Sequence, residues 1–118
     1  MMKKELNSML LTRQELQIMR IVWERGEATV REVCEVISRK KKTAYTTILT
    51  LMGILETKGA LTHVRPGRAY VYHPILSRDQ ATSNQVNDLI ERFFDGEAAR
   101  LVNYVRQNES VQSYMAEA

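Results

Sequence analysis

Four threonines at positions 43, 46, 47 and 50, beside a run of four cations, are the residues of this chain best placed to do chemistry with a partner. Ala44, Ile48, Leu51, Met52 and Leu55 recur at the three- and four-residue spacing that keeps one face of a helix toward a core. On that helix Thr43, Thr46, Thr47 and Thr50 fall on the opposite face. Threonine is a poor helix former, so four on one outward face need a reason beyond propensity. Their small hydroxyls permit close approach to phosphate, and their methyls can touch a thymine methyl. A tolerated solvated face is the alternative reading, and the neighbouring charge weighs against it. Arg39, Lys40, Lys41 and Lys42 stand just before the helix, where they add to the positive end of its dipole. The chemistry predicted is the grip of an anion and the reading of its neighbours, not the making of bonds.

Two further helices must position this one. Thr12 to Glu15 reads TRQE, a capping box in which hydroxyl and carboxylate satisfy first-turn N–H groups reciprocally. The helix it starts runs to about Arg25, with Leu16, Met19 and Trp23 inward, Ile18 and Val22 widening the stripe, and Gly26 as its stop. A second box, Thr29 to Glu32, starts a helix that buries Val30, Val33, Cys34 and Ile37. Ser38 to Lys42 then form the turn into the threonine helix. Two helices across a short turn, the second basic at its start, make a helix-turn-helix. After Gly59, Leu61 to Arg65 and Ala69 to Tyr72 have strand character around Pro66-Gly67. Arginines 65 and 68 flank the tip of that hairpin, which turns the motif into a winged helix.

Charge is divided along the chain. Through Pro74 there are 13 Lys and Arg against 7 Asp and Glu, a balance of +6; from Ile75 the counts are 4 against 7, or −3. The nucleic-acid half is therefore expected to be the first. A single cysteine, Cys34, excludes an internal disulfide and a thiolate cluster, and its apolar setting marks a small core residue. No apolar run reaches membrane-spanning length and MMKKELNSML lacks a signal-peptide core, so a cytoplasmic protein without membrane contact is expected. His63 and His73 have no nucleophile or paired carboxylate placed with them and no glycine-rich phosphate loop occurs, which argues against an enzyme and against any metal or cofactor.

Beyond the hairpin the pattern changes. SRDQ from Ser77 to Gln80 fits a third capping box, and Val86, Leu89, Ile90, Phe93 and Phe94 repeat at helical spacing up to Asp95-Gly96. A shorter helix carries Ala98, Leu101, Val102 and Val105. Both are too apolar on one side to stand alone, so they pack on the domain or on a partner. Two-fold dimers read palindromic DNA, which favours a dimerisation unit. The fold class expected is mainly α with a small β-hairpin wing: a winged helix over residues 1–75 and helical dimerisation over 76–118.

LTRQELQIMRIVWERGEATVREV, AYTTILTLMGILETKGAL and GRAYVYHP, in that order, resemble the penicillinase-repressor (BlaI/MecI) family from about Leu11 to about Val105. The resemblance implies a homodimeric winged-helix repressor of inverted-repeat operators in double-stranded DNA. It implies that Thr46, Thr47 and Thr50, with Leu49 and Ile54 at the edge, reach DNA, and that His63, Arg65 and Arg68 lie in the wing. In antibiotic-responsive members an inducing signal leads, through a sensor protease, to a cut between Asn and Phe in the dimerisation helix. Asn103-Tyr104 stands at that place here, with Tyr for the usual Phe. Gly53 and Ile54 stand where many relatives carry basic residues, and the tail ESVQSYMAEA is short beside the last helix of some members. Copper-responsive relatives add a C-terminal cysteine cluster, which this chain lacks. The rival from another class is a winged helix that docks an acidic protein partner, which the charge division also fits. A preference for one inverted repeat over random duplex separates the two.

Overall fold

The computed structural model describes residues 6–116. After helical residues 6–8, α1 spans Arg13–Arg25, α2 Val30–Ser38 and α3 Tyr45–Lys58. Strands β1 (Leu61–Val64) and β2 (Val71–Pro74) follow, then α4 (Arg78–Phe93), α5 (Ala98–Gln107) and α6 (Glu109–Met115). The chain forms two compact units, one ending at Asn84 and the other starting at Gln85. The mainly helical class with a two-stranded antiparallel hairpin is as expected.

Both N-terminal capping boxes are formed. Thr12 N–H donates to Glu15 Oε1 at 2.8 Å and Glu15 N–H to Thr12 Oγ1 at 3.1 Å; the Thr29–Glu32 pair repeats this at 2.9 and 3.1 Å. Each helix start is thus fixed by its own first turn. Ile18, Met19 and Val22 from α1, Val33 from α2 and Ile48, Met52 and Leu55 from α3 then close one core with Leu61, Tyr72 and Leu76. Leu16, expected inward, is instead exposed, and Glu15 is buried in the adjoining place. A carboxylate tolerates that position because Lys58 Nζ, 2.9 Å away, and Thr12 satisfy it. Lys58 also donates to Leu10 O at 2.9 Å, so one ammonium ties the end of α3 to the segment before α1. Trp23 is half-buried against the core, its indole N–H donating to Leu76 O at 2.8 Å.

Gly59 ends α3 at φ +92°, a left-handed conformation that a side chain would strain, and its N–H returns to the last helical carbonyls. The chain then enters the hairpin in the register Leu61 to Pro74 and Val64 to Val71. Strand β2 lies two residues later than the expected 69–72. Residues 65–70 form an open loop rather than a tight turn at Pro66-Gly67, because pairing stops at Val64 and Val71. Ala28, from the α1–α2 connection, exchanges two backbone hydrogen bonds with Tyr72, 2.8 and 3.0 Å, and so ties the wing to the helices.

The Ser77 box is only half made. Gln80 N–H donates to Ser77 Oγ at 3.0 Å, but the Gln80 side chain turns to Asn84 Oδ1 at 2.7 Å. Asn84 is buried, and its amide donates to Leu6 O and Met9 O at 2.6 and 2.9 Å, a better-satisfied arrangement than a reciprocal cap.

In the second unit Asp95 and Gly96, at φ 52° and 78°, break the helical course between α4 and α5. Phe94 and Tyr104 rings meet at 5.8 Å, and Arg100 reaches Asp95 at 2.8 Å. A third helix, α6, was not expected. Asn108 caps it by accepting from Val111 N–H at 3.0 Å, and Gln112 donates to Val105 O at 2.6 Å. None of the described residues of this unit is buried.

Burial pushes the Glu15 carboxyl up, yet the Thr12 N–H and hydroxyl and the Lys58 ammonium outweigh it and hold the group below its ordinary 4.5. A depressed folded-state value means that the carboxylate stabilises the fold above pH 4.5 and that this contribution is lost as pH falls through the lowered value. Glu15→Gln is expected to lower stability at neutral pH by about 1–3 kcal/mol and to flatten the acid limb. Urea unfolding across that pH range checks this, and parallel pH profiles for the two proteins would contradict it.

Candidate nucleic-acid interface

The candidate surface is built on α3. Ile48, Met52 and Leu55 are its buried stripe. Thr46, Thr50 and Gly53 share the face diametrically opposite by their three- and four-residue spacing, and all are exposed. Leu49 lies on one flank of that face and Thr47 and Ile54 on the other; Leu49 and Ile54 are each 44% exposed. Large aliphatic side chains left this open beside small hydroxyls make a surface with apolar as well as polar contacts to offer.

Two sequence expectations for this helix are corrected. Ala44 is not a core residue but the exposed N-cap, with extended backbone at ψ 140°. Thr43 is not on the helix face: it lies in the turn before it, half-buried, with its hydroxyl donating to Lys41 O at 2.8 Å. The helix starts at Tyr45, later than the apolar spacing suggested. Ser38 explains why. Its hydroxyl accepts from Thr43 N–H at 3.2 Å and lies 3.3 Å from Thr43 O, closing the turn so that neither Thr43 nor Ala44 takes helical backbone. Cys34 joins this closure, its thiol donating to Thr43 O at 3.3 Å while it packs against the core.

Closing the turn from inside places Arg39, Lys40, Lys41 and Lys42 outside it, all exposed. Ala44 offers no side-chain cap, so the first turn of α3 faces the same solvent as these cations. Backbone dipole and cationic side chains together produce a positive field at the start of α3.

On the other side stands the wing. His63 on β1 places Nδ1 2.7 and 2.8 Å from the two carboxylate oxygens of Glu56 on α3. Its ring stacks on Tyr70 at 4.1 Å, with 10° between the planes, and meets Tyr72 at 5.5 Å. The Arg65 guanidinium lies over the same Tyr70 ring at 5.7 Å. Arg68 is exposed in the loop. Of the three wing residues singled out in the sequence, His63 thus anchors the wing to α3, and Arg65 and Arg68 project from it. Glu56 and Tyr70 were missed. Tyr45, Leu49 and Glu56 follow one flank of α3 at helical spacing toward the wing, a pattern legible in the sequence once the hairpin is placed there.

The C-terminal candidates all lie in the second unit. Val86, Leu89, Phe93 and Val102 are exposed, Phe93 at 69%, while Ile90, Phe94, Leu101 and Val105 are half-buried. Asn103 and Tyr104 lie inside α5, both exposed.

A family model described as penicillinase repressor matches residues 11–117. The chain belongs to the penicillinase-repressor family. This family consists of transcriptional repressors, not enzymes. The penicillinase repressor of Bacillus licheniformis is 27% identical over 97 residues, covering 82% of this chain and 76% of that protein. The transcriptional regulator BlaI of Mycobacterium tuberculosis is 32% identical over 96 residues, 79% of this chain and 70% of its own. Among solved structures, the DNA-binding domain of the repressor BlaI superposes with a TM-score of 0.54 at 30% identity, over 59% of this chain and 85% of that one. The monomeric form of Bacillus licheniformis BlaI in complex with the blaP half-operator superposes with a TM-score of 0.52 at 29% identity, over 61% and 93%. The winged helix is the part shared with both.

If Tyr70 carries the wing through its ring, Tyr70→Ala is expected to shift the His63 ring protons downfield by removing the stacked ring, while Tyr70→Phe leaves them near their original positions. Proton NMR of the two variants checks this. Unchanged His63 resonances in Tyr70→Ala would show that the stack is absent in solution.

Proposed function

We propose that this protein is a dimeric repressor that sets one α3 per protomer into successive major grooves of an inverted-repeat operator, about one helical turn of DNA apart or a small multiple of it. The observation that carries the reading is the threonine-lined face of α3, left unburied between a basic turn and an arginine-bearing wing. Lys40, Lys41, Lys42, Arg65 and Arg68 supply affinity through phosphate, whereas Thr46, Thr47, Thr50, Leu49 and Ile54 select bases. The solved half-operator complex of the Bacillus licheniformis relative supports DNA as the partner. Blocking a promoter then requires no further chemistry.

Dimerisation is assigned to the C-terminal helices. Exposed Val86, Leu89, Phe93 and Val102 are support for it, because a soluble chain seldom leaves such a series of apolar side chains to water. Derepression by proteolysis is assigned to Asn103-Tyr104. That bond is helical, the Tyr104 ring meets Phe94 at 5.8 Å and its hydroxyl accepts from Asn108 Nδ2 at 2.9 Å, so a sensor protease acts only on a locally opened α5. The cut separates Leu101 and Val102 from Val105, and two half-sites then no longer bind together.

Phe93→Glu is the direct test, since a side chain this exposed can be changed without disturbing a core. Sedimentation is expected to show a dimer for the native chain and a monomer for the variant. Affinity for the full inverted repeat is expected to fall about 100-fold, with half-operator affinity unchanged. A variant that binds the full repeat like the native chain would overturn the dimeric reading.

A further inference from the structure

Beside the recognition face lies a groove that no sequence motif announces. Its walls are Arg31 at the start of α2, Tyr45 and Leu49 on α3, and Arg68, Tyr70 and Tyr72 from the wing, and among the described residues no acidic side chain lines it. We propose that this groove seats the sugar–phosphate backbone of one operator strand, with Arg31 and Arg68 gripping phosphate from two different elements and Tyr45 and Tyr70 donating hydroxyl hydrogen bonds. The assignment rests on the operator-binding reading and adds Arg31, Tyr45 and Tyr70 to it.

Charge and shape choose this occupant. Among the described residues a polyanion meets two guanidiniums and no carboxylate, while the aromatic rings and Leu49 offer apolar surface suited to deoxyribose. Leu49 belongs both to this groove and to the flank of the recognition face, so a strand lying here is continuous with the bases that α3 reads. Arg31 is available for the task. Its ion pair to Glu35 at 3.5 Å joins groups 83% and 64% exposed, an arrangement that contributes little and yields readily to phosphate. Tyr45 is half open to solvent and Tyr70 nearly so, at 50% and 44%. Tyr72 is different. Burial first, then the charge of Glu56, pushes its hydroxyl up from 10.0, so it stays protonated and neutral behind the strand.

Arg31 counts as a phosphate ligand only if its loss is felt as charge. The full chain is titrated with an operator duplex and with random duplex across a series of salt concentrations. Arg31→Ala is expected to reduce the salt slope by about 0.9 and to weaken both duplexes by the same factor, with Arg31→Lys restoring most of the slope. Tyr45→Phe and Tyr70→Phe are each expected to cost about threefold to tenfold in affinity, and Phe at position 70 keeps the ring that stacks on His63. Neutralising single phosphates as methylphosphonates then locates the site: one position should weaken the native chain and be silent for Arg31→Ala. An unchanged salt slope in Arg31→Ala, with the native chain binding its operator, would overturn the groove assignment and leave the repressor reading intact. Native protein that binds no duplex but takes up an acidic peptide through Arg31 would overturn both.

Discussion

The surface this protein offers from its first unit depends on α3 being held by a narrow apolar stripe. Ile48, Met52 and Leu55 are the only residues of that helix fully removed from water, and burying side chains of this size contributes about 1.5–3 kcal/mol each. The remainder of the helix is therefore free to carry residues chosen for contact. Anchorage from one side also leaves α3 able to roll, and two polar clamps near its C-terminal end oppose that. Lys58 is tied to Glu15 and Leu10, and Glu56 to His63. One clamp belongs to the helices and the other to the wing, so α3 and the wing arginines share a common frame.

The same logic explains the start of the helix. A side-chain cap there would satisfy the first N–H groups internally, but Ala44 provides none. Ser38 does the closing one step earlier, on Thr43, and four cations are left outside the turn. Order on the inner side of the turn is what gives the outer side its unbroken charge. The second unit is built on the opposite principle. Its helices are stapled by Asn108, Gln112 and the Phe94–Tyr104 contact, while its aliphatic residues remain accessible.

Much of this was legible in the residues. Capping boxes are local, short and chemically specific, and those at Thr12 and Thr29 form as read. Apolar spacing found the buried faces of α1, α2 and α3, and glycine marked the end of α3. Periodicity failed where a polar partner from far along the chain decides burial. Leu16 yields its place to Glu15 because Lys58, 43 residues later, makes a buried carboxylate tolerable. Gln80 leaves its cap for Asn84, four residues on, whose own amide is buried against Leu6 O and Met9 O from the far N-terminal segment. Spacing alone also extended α3 back to Thr43 and Ala44, since it does not register that Ser38 closes the turn. Glu56 on α3 and Tyr70 in the wing escaped notice because their role exists only once β1 and α3 are side by side. Helix α6 depends on a single asparagine cap after a helix already ended, a weak signal in a polar tail.

In the function proposed, a threonine face, a basic turn and a wing together read one DNA sequence. Recovery of genomic fragments bound by the purified full chain, followed by footprinting of the most enriched site, tests it most directly. An inverted repeat overlapping a promoter, protected cooperatively on both halves, is the expected result. Fragments no more enriched than random duplex, from protein shown to be folded, would contradict it and move the same charged surface to an acidic protein partner.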